Sequence, residues 1–124
     1  MNSSSDTGTG EAELREQVKV LGEKFLLRTG SQIATLREQV TRLRGGDPDA
    51  LTLIQELVHK IHGSGAMFGF AALSDRAGEI ERLIAASAAA AGSSTAAVTS
   101  ATSDRLGTLV EELAAALEAA RRRN

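Results

Sequence analysis

The chain has 124 residues, with 16 acidic and 14 basic side chains and a formal charge of −2, so one domain is expected and no basic field is offered to a phosphate backbone. It contains no Cys, Trp or Tyr and only three Phe. That excludes disulfides, thiol catalysis and thiolate metal sites, and leaves too few rings for a base-stacking nucleic-acid surface.

No stretch approaches the roughly 20 apolar residues that span a bilayer, and no basic segment leading into an apolar core opens the chain. A cytoplasmic protein, monomeric and without nucleic-acid or membrane contacts, is therefore expected. Residues 1–10 are polar and Gly-rich and read as a disordered tail; this polar start fits a whole protein rather than an excised piece. Residues 11–124 read as a single helical domain. The first predicted helix runs from about Glu11 to Arg28, with Leu14, Val18, Leu21 and Phe25 recurring at spacings of four, three and four. Gly30 is expected to end it and Ser31 to cap a second helix. That helix carries Ile33, Leu36, Val40 and Leu43 and stops at Gly45–Gly46.

Asp47–Pro48 is a strong start for the third helix, with Asp as N-cap and Pro at the first helical position. Asp49 adds an acid that suits the dipole of the first turn. The helix carries Leu51, Ile54, Leu57, Val58 and Ile61, then enters a Gly-rich stretch from Gly63 to Gly69. A fourth helix starts near Phe70 or Ala71, carries Leu73, Ala77, Ile80 and Ile84, and decays into the alanines of 85–91. Gly92 to Thr95 reads as a turn. Ser103 or Asp104 caps the last helix, which carries Leu106, Leu109, Val110, Leu113 and Leu117. Its closing Arg121–Arg123 cluster is accounted for by the negative end of the helix dipole. No alternating β-branched run is present. The pattern predicts an all-α, antiparallel four-helix bundle, with the first helix additional and packed across one end.

Chemistry is concentrated on the third helix, which holds both histidines of the chain, His59 and His62. At about 100° per residue, Ile54, Val58 and Ile61 define a buried stripe, His62 falls at its edge, and His59 points outward. Gly63 follows His59 by one turn on the same face, at a cost of about 1 kcal/mol relative to Ala. A glycine there gives a partner's backbone or a phosphoryl group access to the imidazole, and the helix holds that imidazole in one orientation. A neutral, exposed imidazole is a competent nucleophile. His62, Lys60 and the Ser64 hydroxyl are candidate donors to a phosphoryl group on it. No Gly-rich ATP loop or Walker-type lysine is present, so the expected role is carriage of a phosphoryl group without ATP-dependent catalysis.

At these residues the sequence resembles the histidine-containing phosphotransfer (HPt) domain of multistep phosphorelays. The family pattern, roughly His-x-Leu-Lys-Gly-Ser-Ala-x-x-x-Gly, is met here by His59-Lys60-Ile61-His62-Gly63-Ser64-Gly65-Ala66-Met67-Phe68-Gly69. Leu73, Ala77, Ile80 and Glu81 resemble the family's following helix. The resemblance implies a four-helix bundle with His59 as phosphoacceptor. It implies transfer from the aspartyl phosphate of one receiver domain to another, in response regulators or hybrid histidine kinases. No cofactor is expected on this chain; the Mg²⁺ that such transfers need belongs to the receiver. Gln55, Glu56, Gly63, Ala66 and, across the turn, Phe70 are the expected partner contacts. Met67 and Phe68 are either plugs below the turn or anchors for the partner. One departure stands out: His62 occupies the position at which the family usually has Lys.

Three other readings of the same residues are weighed against this one. Two histidines three apart on a helix can be ordinary surface residues. Glu56, His59 and His62 could share a metal ion, although di-iron bundles place inward-facing ligands on four helices. A bundle of the same fold could dock a kinase or a receiver without any phosphotransfer.

Overall fold

A computed structural model of the protein describes residues 3–91 and 100–123, with side chains over 10–89 and 100–123. It contains four helices: α1 (Ser3–Arg44), α2 (Asp49–Met67), α3 (Ala71–Ala91) and α4 (Ser100–Arg123). Each helix packs on its two neighbours, α1 on α2, α2 on α3, α3 on α4 and α4 on α1, which is the closed ring of a four-helix bundle. The Gly92 to Thr95 turn lies outside the described residues.

Two glycines in the left-handed region build the turns. Gly46 (φ 97°) ends α1: its N–H donates to Leu43 O and the following Asp47 N–H donates to Arg42 O. Gly69 (φ 81°) ends α2 in the same way, with its N–H on Ala66 O and the Phe70 N–H on Gly65 O. Both are the paired 5→2 and 6→1 bonds that a glycine C′ residue makes possible. The α2 start follows the Asp-Pro reading. Pro48 is helical (φ −70°, ψ −23°), and Asp47 Oδ1 accepts the Asp49 N–H at 3.0 Å, so one of the orphan donors of the first turn is satisfied.

The core is the aliphatic stripe of all four helices. Leu36, Ile54, Val58, Ile61, Leu73, Ala77, Ile80, Leu106 and Leu113 are completely buried. Phe25 closes one end of it, packed on Phe68 (ring centroids 5.5 Å apart) and stacked on Phe70 (5.6 Å).

Two expectations are corrected. The first two predicted helices are one helix, because α1 continues through Gly30 and Ser31. Gly30 is a seat rather than a stop: a Cβ there would stand 2.6 Å from Arg121 Nη2 of α4. Ser31 does not cap, and its carbonyl accepts the Thr35 hydroxyl within the helix. The N-terminal segment therefore does not cross the end of the bundle. It prolongs α1, with Leu14 60%, Val18 50% and Leu21 49% exposed. The second correction concerns α4, which begins at Ser100 and not at a Ser103 or Asp104 cap. Ser103 is buried, and the Asp104 carboxylate reaches Arg44 of α1 at 3.6 Å.

Polar clasps fix how the helices slide on one another. Arg37 of α1 grips Glu111 of α4 with two bonds of 2.8 Å; this hydrogen bond chiefly raises the guanidinium and lowers the carboxyl. Arg76 of α3 bonds Glu79 on its own helix and Glu112 on α4. Exposed pairs of this kind contribute only about 0–1 kcal/mol each, so their effect is on register more than on stability.

Candidate functional site

Helices α2 and α3 run antiparallel from the Gly69 turn, and their contact is unusually close at Gly65. A Cβ at Gly65 would stand 3.2 Å from the Ser74 backbone nitrogen, so only glycine lets the two backbones approach to this extent. The Ser74 hydroxyl then donates across the seam to the His62 carbonyl at 2.9 Å. Two turns further along, the same seam carries Glu81 of α3 opposite His59 and His62 of α2.

Glu81 is shared by both histidines. His62 Nδ1 lies 2.6 Å from Glu81 Oε1, and His59 Nδ1 lies 3.2 Å from Oε2. A carboxylate can only accept, so each imidazole has a proton on Nδ1, and in the neutral ring its Nε2 bears the lone pair. Partial burial pushes the Glu81 carboxyl upward, but the hydrogen bonds and charge of His59 and His62 outweigh it. The net displacement is below the usual carboxylate range.

The two Nε2 atoms have different surroundings. The His59 side chain is 80% exposed and that of His62 45%. His62 is laid over Gly78 of α3, and a Cβ at that glycine would touch the ring Cε1 and Nε2 at 3.4 Å each. His59 Nε2 therefore faces solvent, whereas His62 Nε2 is turned toward α3. Gly63 has nothing within 4 Å of its missing Cβ, so the surface next to His59 is flat and open.

The remaining predicted residues separate into groups. Gln55, Glu56, Gly63 and Ala66 are exposed on α2 along the His59 side. Lys60 is exposed and Ser64 half-buried, and on the helix wheel both lie toward α1, about 100° and about 140° around from His59. The structure thus brings His62 to Glu81 but leaves Lys60 and Ser64 out of that network. Phe70 is half-buried: its ring sits on Gly22 and stacks on Phe25, at the end of the bundle eleven residues from His59. Phe68 is a plug of the same kind, while Met67 is 74% exposed. Among the described residues no group of three His, Cys, Asp or Glu side chains could hold a metal ion, and no helix is long and apolar enough to cross a membrane.

Sequence reasoning placed Glu81 only within the helix after the turn and missed its contact with the histidines. Gly78 and Gly65 were missed as well. Counting equally along both helices from Phe70, the residue after Gly69, puts Glu81 opposite His59, eleven residues each way, and Gly78 opposite His62, eight residues each way; that count was the available signal.

A family model of the Hpt domain matches residues 12–123. The chain belongs to the Hpt domain family, the histidine phosphotransfer modules of phosphorelays, which are phosphocarriers rather than kinases and interact with receiver domains of response regulators. Neither a curated protein nor a solved structure matches the chain.

Proposed function

We propose that this chain takes a phosphoryl group on His59 Nε2 from the aspartyl phosphate of one receiver domain and passes it to the aspartate of another. The observation that carries this reading is the paired state of the His59 ring, with Nδ1–H committed to Glu81 at 3.2 Å and Nε2 open to solvent. In the forward step the Nε2 lone pair attacks phosphorus, the N–P bond forms, and the P–O bond to the aspartyl carbonyl carbon's oxygen breaks. The receiver carboxylate leaves with the electron pair. The Nδ1 proton stays in place, so the ring becomes cationic as the bond forms, and the Glu81 carboxylate stabilises that charge. The reverse step on a second receiver returns the ring to neutrality. The Mg²⁺ that neutralises the phosphoryl oxygens comes with the receiver.

Gln55, Glu56, Gly63 and Ala66 would form the receiver contact, with Gly63 supplying the clearance. His62 acts here through Glu81, holding the carboxylate from its other oxygen. The cytoplasm, where receivers are found, is the expected compartment.

Incubation with a receiver bearing labelled aspartyl phosphate tests the reading. Wild-type chain is expected to gain acid-labile, base-stable label, and His59→Gln to gain none. Label on His59→Gln would move the acceptor elsewhere. A wild type that stays unlabelled while binding the receiver would make the bundle a docking module.

A further inference from the structure

The family pattern places a permanent cation three residues after the phosphoacceptor, and this chain has His62 there. That imidazole has its Nδ1 on Glu81 at 2.6 Å and its other edge over Gly78, so neither nitrogen is directed at a group carried on His59. A phosphoryl group on Nε2 brings about two negative charges to a face that already holds Glu81 and Glu56. Something else must supply positive charge, either on the receiver or on this chain.

Arg82 is the side chain placed to do so. It follows Glu81 on α3, the residue that the antiparallel His62–Gly78 register sets opposite His59, so its Cα lies one residue beyond the rung of His59. Helical side chains lean toward the helix N-terminus, and Arg82 leans back over Gly78: its Nη1 stands 3.4 Å from the position of a Gly78 Cβ, the same distance as His62 Cε1 and Nε2. The guanidinium and the imidazole thus share the space that the missing Gly78 side chain leaves free, on the rim of the groove that holds His59. Arg82 is exposed. Unlike Arg37, Arg44, Arg76 and Arg121, it makes no ion pair among the described residues, so its donors are uncommitted. Lys60, the other nearby cation, lies on the α1 side of His59.

We propose that Arg82, reaching from α3 over Gly78, is the cation that grips the phosphoryl group on His59, in the role that the family pattern gives to a lysine on α2. A guanidinium suits this task because its planar fork gives two parallel N–H donors to two phosphoryl oxygens. Gly78 is then a specificity feature as well as a seat for His62, since a methyl group there would already touch both the imidazole and the guanidinium and a larger side chain would crowd them. The inference rests on His59 being the phosphoacceptor.

The test compares wild type, Arg82→Ala, Arg82→Lys and His62→Ala in single-turnover transfer from a labelled receiver, with the thermal midpoint of each measured alongside. Arg82→Ala is expected to lower the labelling rate and the final phosphohistidine level by about tenfold to a hundredfold, the effect of one or two charge-assisted hydrogen bonds. Its thermal midpoint should match wild type, and Arg82→Lys should recover part of the loss. His62→Ala should lose less than Arg82→Ala. Arg82→Ala labelled at the wild-type rate would overturn the inference, as would a loss that Arg82→Lys shares in full and that tracks a lower thermal midpoint. Wild type that takes no label would instead overturn the acceptor reading on which it rests.

Discussion

Two imidazoles donate hydrogen bonds from Nδ1 to one carboxylate, so under the proposed function the chemistry of His59 depends on Glu81. Its two oxygens are divided, Oε1 to His62 and Oε2 to His59, so it cannot rotate to favour one partner without losing the other. Glu81→Gln keeps the shape, but its amide offers one acceptor oxygen where the carboxylate offered two, and no negative charge. Transfer to His59 is expected to slow by roughly tenfold to a hundredfold, from the loss of about 1.5–3 kcal/mol of charge-assisted bonding; an unchanged rate would show that the contact does not serve the acceptor. The pH dependence has a definite sign. Glu81 titrates below its ordinary value in the folded chain, so its contribution to stability is present in full above that ordinary value and is lost as pH falls through the folded one. Chemical denaturation at a series of pH values should show a stability gap between wild type and Glu81→Gln at neutral pH that closes in the acid range. A gap that persists to the acid limit would contradict the assignment.

At the scale of the elements, two glycines of α2 and one in the turn after it stand in three different settings. Gly69 holds a left-handed turn, Gly65 lets α3 approach, and Gly63 leaves open surface that the proposed function gives to a partner. Gly63→Ala adds a methyl group to open space and gains about 0.5–1 kcal/mol of helix propensity, so its thermal midpoint should rise by a few degrees while transfer from a receiver slows. Gly65→Ala gains the same propensity, but its Cβ meets Ser74 N at 3.2 Å. Overpacking of that kind costs about 1–3 kcal/mol, so its midpoint should fall. Equal midpoints for the two variants would contradict the different roles. Spacing along the chain does not separate these glycines. The sequence shows that the cluster sits beside the histidines and that Gly69 ends a helix, but which glycine faces α3 depends on the rotation of α2 in the bundle. Gly30 illustrates the same limit, since a glycine beside a serine has the pattern of a helix end, whereas in the bundle the helix runs on through it with Arg121 of α4 lying over it.

On the scale of the whole molecule, the bundle needs residues from Gly22 onward, where α1 first meets Phe70. All described side chains of 10–21 are exposed, so removal of residues 1–21 should leave the thermal midpoint within a few degrees of wild type; a collapse of the fold would mean that the exposed stripe of Leu14, Val18 and Leu21 is covered. The bundle itself was legible, because the 3.6-residue stripes of four helices and the Asp47–Pro48 start are local signals. Continuity of α1 and the Glu81 contact were not, because both are decided by helices distant in sequence. His59 was legible as the outward imidazole, and the structure adds the reason why its Nε2 is the free atom. The most direct test of that point is NMR of ¹⁵N-histidine-labelled chain after transfer from a phosphorylated receiver. A one-bond nitrogen–phosphorus coupling at His59 Nε2, with the Nδ1 proton retained, is the predicted result; phosphorus on His59 Nδ1 or on His62 would contradict the account.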